Sequence, residues 1–344
     1  MAGGFVVGAG VLAQSVHNLQ ATAPSTAGSA PLARVAEAIS ISTGMSLPPD
    51  VVAQAPVVLL PDWQGTERIN VLLLGIDQRD DEAKLNLPTR TDSMIVVSID
   101  PVAKNAAMIS FPRDLYLTIP GFGEQRINEA FPLGELYRVD GGGPGLAGRT
   151  LDLNFGLQVP YYAIVNFHGF ETIIDTLGGI VVDVPRPVKD DEYPTVDYGI
   201  ERLYVSLGPQ LMDGSFALKY ARTRHKDNDI YRNSRQQQVL LAIRDRALRP
   251  DTFARAPTLV DQGLRTVKTN FTATELLALA KLASQIDNSA ISSLVVQYPL
   301  VVDYRGVGGA ALLLPRKNDI RAAIRKTLDA GSPLVSPATP APPS

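Results

Sequence analysis

The chain has 344 residues, 45% of them hydrophobic, enough to bury a substantial core in one large domain or two. Its net charge of −3 argues against a nucleic-acid binder with a broadly basic surface. It has no cysteine, and its three histidines, His17, His168 and His225, are scattered, so disulfides, thiolate chemistry and a histidine-rich metal site are excluded.

Met1–Val16 is apolar, uncharged and glycine-rich, shorter than the ~20 residues of a spanning helix, and no basic residue precedes Arg34. Residues 1–19 read as what remains of a membrane anchor or, more plainly, as a glycine- and alanine-rich leader. Residues 20–67, rich in Ala, Ser and Pro, read as a linker holding the folded part off a surface. The folded domain is expected over 68–328. Residues 329–344 form a proline-rich tail with the composition of a disordered segment.

Ile69–Leu74 is an apolar run that reads as a buried strand ending at Gly75-Ile76-Asp77. The polar segment Gln78–Arg90 reads as a loop. Ser93–Ile99 and Ala106–Ser110 read as two more strands around a turn at Asp100-Pro101. Gly121–Gly143 is rich in glycine and reads as a lid or rim loop. Helices are expected at Gly145–Phe155 and Gly169–Leu177, and strands at Tyr161–Val165 and Ile180–Val184, with Gly178-Gly179 ending the helix between them. Asp213 is placed to cap a helix over Gly214–Ala221. Thr272 and Glu275 have the spacing of a capping box ahead of Leu276–Leu282. Ser292–Val296 reads as a strand and Lys317–Leu328 as a last helix. Strands alternating with helices predict a layered α/β/α fold, a single domain with a central mixed sheet flanked by helices.

Basic residues gather between Arg202 and Arg249, which points to one local anion site. On a helix, Arg232, Gln236, Val239, Leu240, Ile243 and Ala247 share one face, while Gln237, Gln238, Arg244 and Asp245 fall on the other side. An arginine on the apolar face needs an anionic partner, because an unpaired buried charge is costly. Arg222 and Arg224 arrive just upstream, and guanidinium groups near a helix N-terminus suit phosphate. A solvated basic helix with surface ion pairs is the competing reading.

Asp77, Arg90-Thr91-Asp92 and Phe111-Pro112-Arg113-Asp114 stand at strand ends, where α/β proteins bind ligands. Asp77 and Asp92 have the chemistry to share a divalent cation with phosphate oxygens. Arg90, Arg113, Arg222, Arg224 and Arg232 would neutralise the remaining charge. Asp114 reads as an ion-pair partner of a neighbour. The apolar segments Ala256–Val267 and Thr272–Ile286 read either as walls of a lipid trough or as ordinary core. Neither a phosphate-binding Gly-x-x-x-x-Gly-Lys-Ser/Thr loop nor a Gly-x-Ser-x-Gly nucleophile elbow is present.

LLLGID at Leu72–Asp77, RTDSM at Arg90–Met94, SFPRDLYL at Ser110–Leu117, RINEAF at Arg126–Phe131, DTLGGIVVDVP at Asp175–Pro185 and YARTRH through DIYRNSRQQQ at Tyr220–Gln238 together resemble the LytR-CpsA-Psr family, in that family's order, over residues 68–328. The resemblance implies a membrane-attached bacterial transferase acting outside the cytoplasm. It would move a glycopolymer from a polyprenyl-pyrophosphate carrier to peptidoglycan through a phosphodiester; separately, the net charge and the lack of a basic recognition helix point to no nucleic-acid partner. It further implies that Asp77 and Asp92 are carboxylates associated with Mg²⁺ or Mn²⁺. Arg90, Arg113, Arg222, Arg224 and Arg232 match the pyrophosphate-binding arginines, and Asp229 and Gln236 match other polar site positions. The interval from Asp77 to Asp92 is slightly longer than the family pattern. Two other classes of function remain open: a hydrolase acting on the same lipid pyrophosphate, and a non-catalytic polyprenyl-lipid binder or transcription attenuator.

Overall fold

Alternation along β1 (Ile69–Ile76) sets the layout: Leu72 and Leu74 are buried on one face, while Leu73 and Gly75 point to the other. The computed structural model describes residues 59–76, 89–195, 199–223 and 229–330, without the side chains of residues 229, 230 and 307. The expected anchor, most of the expected linker, Asp77, most of the Gln78–Arg90 loop, Arg224, His225 and residues 331–344 lie outside the described residues.

After β1 come β2 (Thr91–Asp100) and β3 (Asn105–Ser110), then a hairpin of β4 (Tyr116–Ile119) and β5 (Gly123–Arg126). Helices α1 (Ala130–Leu136) and α2 (Gly142–Phe155) lead to β6 (Tyr161–Asn166) and α3 (Phe167–Thr176). Strands β7 (Ile180–Val184), β8 (Val188–Pro194), β9 (Ile200–Val205) and β10 (Gly208–Met212) follow. Helices α4 (Gly214–Arg222), α5 (Asp229–Ala247), α6 (Pro250–Phe253) and α7 (Ala256–Thr266) precede the short β11 (Lys268–Thr269) and α8 (Ala273–Ser284). The described residues end with β12 (Ile291–Val295), β13 (Val301–Arg305), β14 (Ala311–Pro315) and α9 (Lys317–Ala330).

The central sheet has the order β11-β6-β1-β2-β3-β12. It is mixed: β1 runs antiparallel to β2 and parallel to β6, and β3 runs antiparallel to β2 and parallel to β12. One face carries Leu72, Leu74, Met94, Val96 and Ile109 against α2 and α9, through Leu146, Leu151, Ile320 and Ile324. Phe111 stacks on Phe155 there, with ring centroids 5.5 Å apart. Each such fully buried Leu or Phe contributes about 1.5–3 kcal/mol. The other face is covered by α5 through Leu240 and Leu241 and by α8 through Leu276, Leu279 and Leu282. The layered α/β/α architecture is therefore as expected. Trp63, upstream of the expected domain start, packs edge-on against Tyr161.

A second core joins the paired strands β7/β10 and β8/β9 to α3, α4 and α5, with Ile174, Val182, Val205, Met212 and Tyr220 fully buried. Asp213 accepts the Phe216 amide at 2.8 Å and caps α4. Gly214 then starts α4 directly against α3: an added Cβ would lie 2.4 Å from the Glu171 carbonyl oxygen. Thr272 and Glu275 form the reciprocal capping box expected of them. Gly178 and Gly179, at φ +77° and +85°, end α3 in the left-handed region.

One expectation is overturned. Gly121–Gly143 is not a lid or rim loop but β5, a 3-10 turn over Ile127–Glu129 and α1, with Ile127 and Ala130 fully buried. Its glycines serve packing: a Cβ on Gly134 would lie 2.5 Å from the Gly142 carbonyl oxygen. That close approach lets α1 lie on the start of α2.

Candidate functional site

A cavity of about 570 Å³ opens between the sheet face carrying Leu73, Ile95 and Val165 and the helices α3 and α5. Helix α3 contributes Phe167, Phe170 and Ile173, and α5 contributes Val239, Leu240 and Ile243. Asp92, Arg222, Arg232 and Gln236 also line it, and strand β8 contributes Asp190, Glu192, Tyr193 and Pro194. The volume falls within the range of small-ligand pockets. The α5 face expected to turn inward does so, with its arginine and glutamine among the lining groups.

Asp92 is where distant segments meet. Its Oδ1 accepts a hydrogen bond from an Arg113 terminal nitrogen at 2.8 Å, and its backbone carbonyl accepts one from Arg232 at 3.2 Å. Arg113 follows β3, Asp92 is the second residue of β2 and Arg232 lies in the first turn of α5. Arg232 is only 4% exposed, so its charge is held by the structure around it. Ser93 donates to Gln236 Oε1 at 2.8 Å and ties α5 to β2 one residue further on. Gly75 is paired with Ser93, and a Cβ on Gly75 would lie 2.9 Å from the Ser93 Cβ. The glycine is therefore needed for the close strand approach at the bulge that ends β1.

Arg222 holds a different part of the cavity wall. Its guanidinium lies over the Phe167 ring, 4.0 Å from the centroid, and donates to the Tyr193 hydroxyl. Burial pushes the Tyr193 phenol above its ordinary value, and Arg222 opposes that shift. The adjacent Thr223 is fixed on both sides. Its hydroxyl donates to Asp190 Oδ2 at 2.6 Å, and its carbonyl accepts from the buried Arg235. Asp190, 2% exposed, also accepts the Glu192 amide at 3.1 Å.

Asp92, Arg113, Arg222, Arg232 and Gln236 are thus brought to one cavity or its edge. Arg90 stands apart from the lining, mostly exposed, in a 2.8 Å ion pair with Glu129. Asp114 pairs with Arg126 at 3.2 Å and with Arg113 at 3.7 Å, as the ion-pair reading of it held. Asp77 and Arg224 lie outside the described residues, as does the side chain of Asp229. Of the two readings of the apolar segments after α5, ordinary core is the one that fits. Of Ala256–Val267 and Thr272–Ile286, only Val267 lines the cavity, and α8 packs instead on Ile69, Val71 and Phe271. The apolar walls are α3, α5 and the sheet.

The far side of α5 is also buried. Gln237, 3% exposed, donates to Ser110 Oγ at 2.7 Å and accepts from Ser293. Arg235, Asp190, Tyr193 and Phe167 were not singled out from sequence. Arg235 has no periodic signal because α5 is packed on several sides, and Asp190 sits in a charged run, Lys189-Asp190-Asp191-Glu192, that looks solvated.

Among the described residues, no three His, Asp or Glu side chains gather as a metal site of their own. Asp92 Oδ2 has no protein partner among them, and Asp92 lines the cavity. One or two carboxylates beside phosphate oxygens form a donor set that magnesium accepts, so the residues fit such an ion. The arrangement as a whole suits an amphiphile: apolar walls for a chain, and a rim of guanidinium groups for an anionic head.

The model of the LytR_cpsA_psr family matches residues 34–325. The chain belongs to the LytR-CpsA-Psr family. Among relatives, it is 35% identical over 202 residues to the polyisoprenyl-teichoic acid–peptidoglycan teichoic acid transferase TagU of Oceanobacillus iheyensis, an alignment covering 58% of each chain. It is 32% identical over 267 residues to regulatory protein MsrR of Staphylococcus aureus, covering 76% of this chain and 75% of that one. It therefore spans little more than half the length of TagU and three quarters of MsrR. The crystal structure of Bacillus subtilis TagV has a TM-score of 0.63 at 27% identity, covering 77% of this chain and 99% of that one. The structure of TagT bound to LI-WTA has a TM-score of 0.59 at 26% identity, covering 79% and 95%. The layered sheet thus stands in a family fold.

Proposed function

We propose that this member of the family transfers a glycopolymer from a polyprenyl-pyrophosphate carrier to peptidoglycan, forming a phosphodiester, at the outer face of a bacterial cytoplasmic membrane. The observation that carries the reading is the meeting of Arg113 and Arg232 on Asp92 at an apolar cavity. The names of TagU and of TagT bound to LI-WTA support the substrate class.

The polyprenyl chain lies along Phe170, Ile173, Val239 and Ile243, and the pyrophosphate lies at the arginine rim. A pyrophosphate ester is a poor electrophile until its charge is neutralised. Arg113, Arg222 and Arg232 do this, and they stabilise the charge that builds on the departing polyprenyl phosphate. Arg224 belongs to the same proposed set, whereas Arg90, paired with Glu129 away from the lining, would join it only by leaving that pair. A magnesium ion held by Asp92 and Asp77 would withdraw further charge from the phosphates. Gln236, fixed by Ser93, offers a neutral donor beside the guanidinium groups. The apolar walls take the tail out of water.

The test is transfer of glycan from a lipid-linked donor to peptidoglycan by purified protein. Arg113→Ala is expected to abolish it, and undiminished transfer by that variant would remove the assignment.

A further inference from the structure

Helix α5 has a second cavity on its other side. It measures about 350 Å³ and lies between α5, β7 and the end of β12. The two cavities share the helix but no lining residue. Their chemistry differs. The first carries Arg222 and Arg232, whereas among the described residues no lysine or arginine lines the second. Its polar groups are carboxylates, amides and hydroxyls, among them Asp183, Gln238, Gln297 and Ser293.

Some of these groups are already engaged. The Gln238 Oε1 accepts from the Tyr220 hydroxyl at 2.6 Å, which leaves its NH₂ as the end available to a ligand. Asp183 is exposed on β7 and has no ion pair among the described residues. Gln297 follows β12, just past the strand paired to β3, whose far end leads into Phe111-Pro112-Arg113. Apolar groups sit between them: Val181, Leu241 and Val295. Carboxylate and amide groups accept and donate to vicinal hydroxyls, and an apolar floor takes the C–H face of a sugar ring. Arg244 stands beside the lining residue Asp245 but is already paired with it at 3.0 Å, so an anionic polymer or a phosphate gains little charge balance here.

We propose that the cleft between α5 and β7, lined by Asp183, Gln238 and Gln297, binds a neutral saccharide, the glycan strand of the acceptor. This rests on the transfer reading for the identity of that saccharide. The anionic, lipid-linked donor occupies one side of α5 and the uncharged acceptor the other. Both reach the start of the helix, where Arg232 and Ser234 stand within a turn of each other.

The experiment is calorimetric binding of soluble peptidoglycan glycan oligomers whose stem peptides are removed and whose freed lactyl carboxyls are capped as amides, so that the strand is uncharged, with free stem peptide in a parallel titration. The wild-type chain is expected to bind the glycan oligomer. The double variant Asp183→Ala/Gln297→Ala is expected to bind it at least tenfold more weakly, with an unchanged circular dichroism spectrum. Asp183→Asn, which keeps hydrogen-bonding capacity, is expected to recover part of the loss. In transfer assays the double variant raises the acceptor KM and leaves the donor KM unchanged. Equal binding by the double variant overturns the proposal, as does absent glycan binding by the wild type or binding of the stem peptide in its place. If the glycan binds, the variant loses it, and the lipid-linked donor is never turned over, the cleft stands and the transfer reading falls.

Discussion

Arg113 and Arg232 hold the same residue by different atoms: one bonds the carboxylate of Asp92 and the other its backbone carbonyl. Asp92 is thereby fixed in both side chain and main chain by two elements from opposite halves of the sequence. Arg232→Lys keeps the charge but loses the planar fork that lets one side chain reach several acceptors. We expect glycan transfer to fall about 10²–10³-fold, the cost of losing one preorganised donor at a charge-developing site. Steady-state rates with a lipid-linked donor check this, and a loss under threefold would contradict it.

Gly75→Ala should disturb the site without touching a charged group. Its new methyl meets the Ser93 Cβ at 2.9 Å, and Ser93 is the residue that ties Gln236 to the strand. Overpacking of this kind costs about 1–3 kcal/mol. Urea unfolding should show that loss. The double variant Gly75→Ala/Ser93→Gly should recover most of the packing cost, since the second change removes the obstructing atom.

Thr223→Val keeps the shape of the side chain and removes the donor to the buried Asp190. A buried carboxylate deprived of a hydrogen bond costs about 1–3 kcal/mol. Because Thr223 follows Arg222 directly, the same variant should raise the donor KM, while Thr223→Ser should restore both quantities. Loss of stability with an unchanged donor KM would reduce the network to a packing role.

Ile243→Trp places a large ring into the cavity wall beside Val239. Donors carrying a long polyprenyl chain should lose affinity at least tenfold, while a donor with a short soluble chain should be little affected. Equal losses for both would show that the tail lies elsewhere.

Acid sensitivity should have a contribution from the turn after β2. The Ala103 amide above all, then the Val102 amide and Arg68, hold the Asp100 carboxyl below its ordinary value of 3.8, against the opposing effect of burial. The folded protein takes up that proton less readily than the unfolded chain, so the stabilisation is complete above the ordinary value and is lost as pH falls through the lowered one. Urea midpoints at about pH 6 and about pH 3 should fall less between the two conditions in Asp100→Asn than in the wild type. A parallel fall in both would remove Asp100 from the account.

The central strands were legible because their apolar runs are continuous and buried, as at Ile69–Leu74 and Ala106–Ser110. Arg232 and Gln236 were legible because helical spacing places them in line with Val239 and Ile243. That same reasoning assumes one buried face, so it hid Arg235 and Gln237 on a helix packed on several sides. The segment Gly121–Gly143 misled for a physical reason. Glycine there permits backbones to touch, at Gly134 and Gly143, as well as allowing the turns at Gly121 and Gly123. The position of the apolar walls was not legible, since amphipathic helices such as α7 and α8 look alike whether they cover a core or a void.

Gly214 rests on Glu171 so closely that no side chain fits between the two backbones. The helix bearing Phe170 and Ile173 and the helix ending in Arg222 are thereby held in direct backbone contact. If the proposed tail lies along Phe170 and Ile173, a tail too wide for that wall would press on the neighbouring helix that carries Arg222.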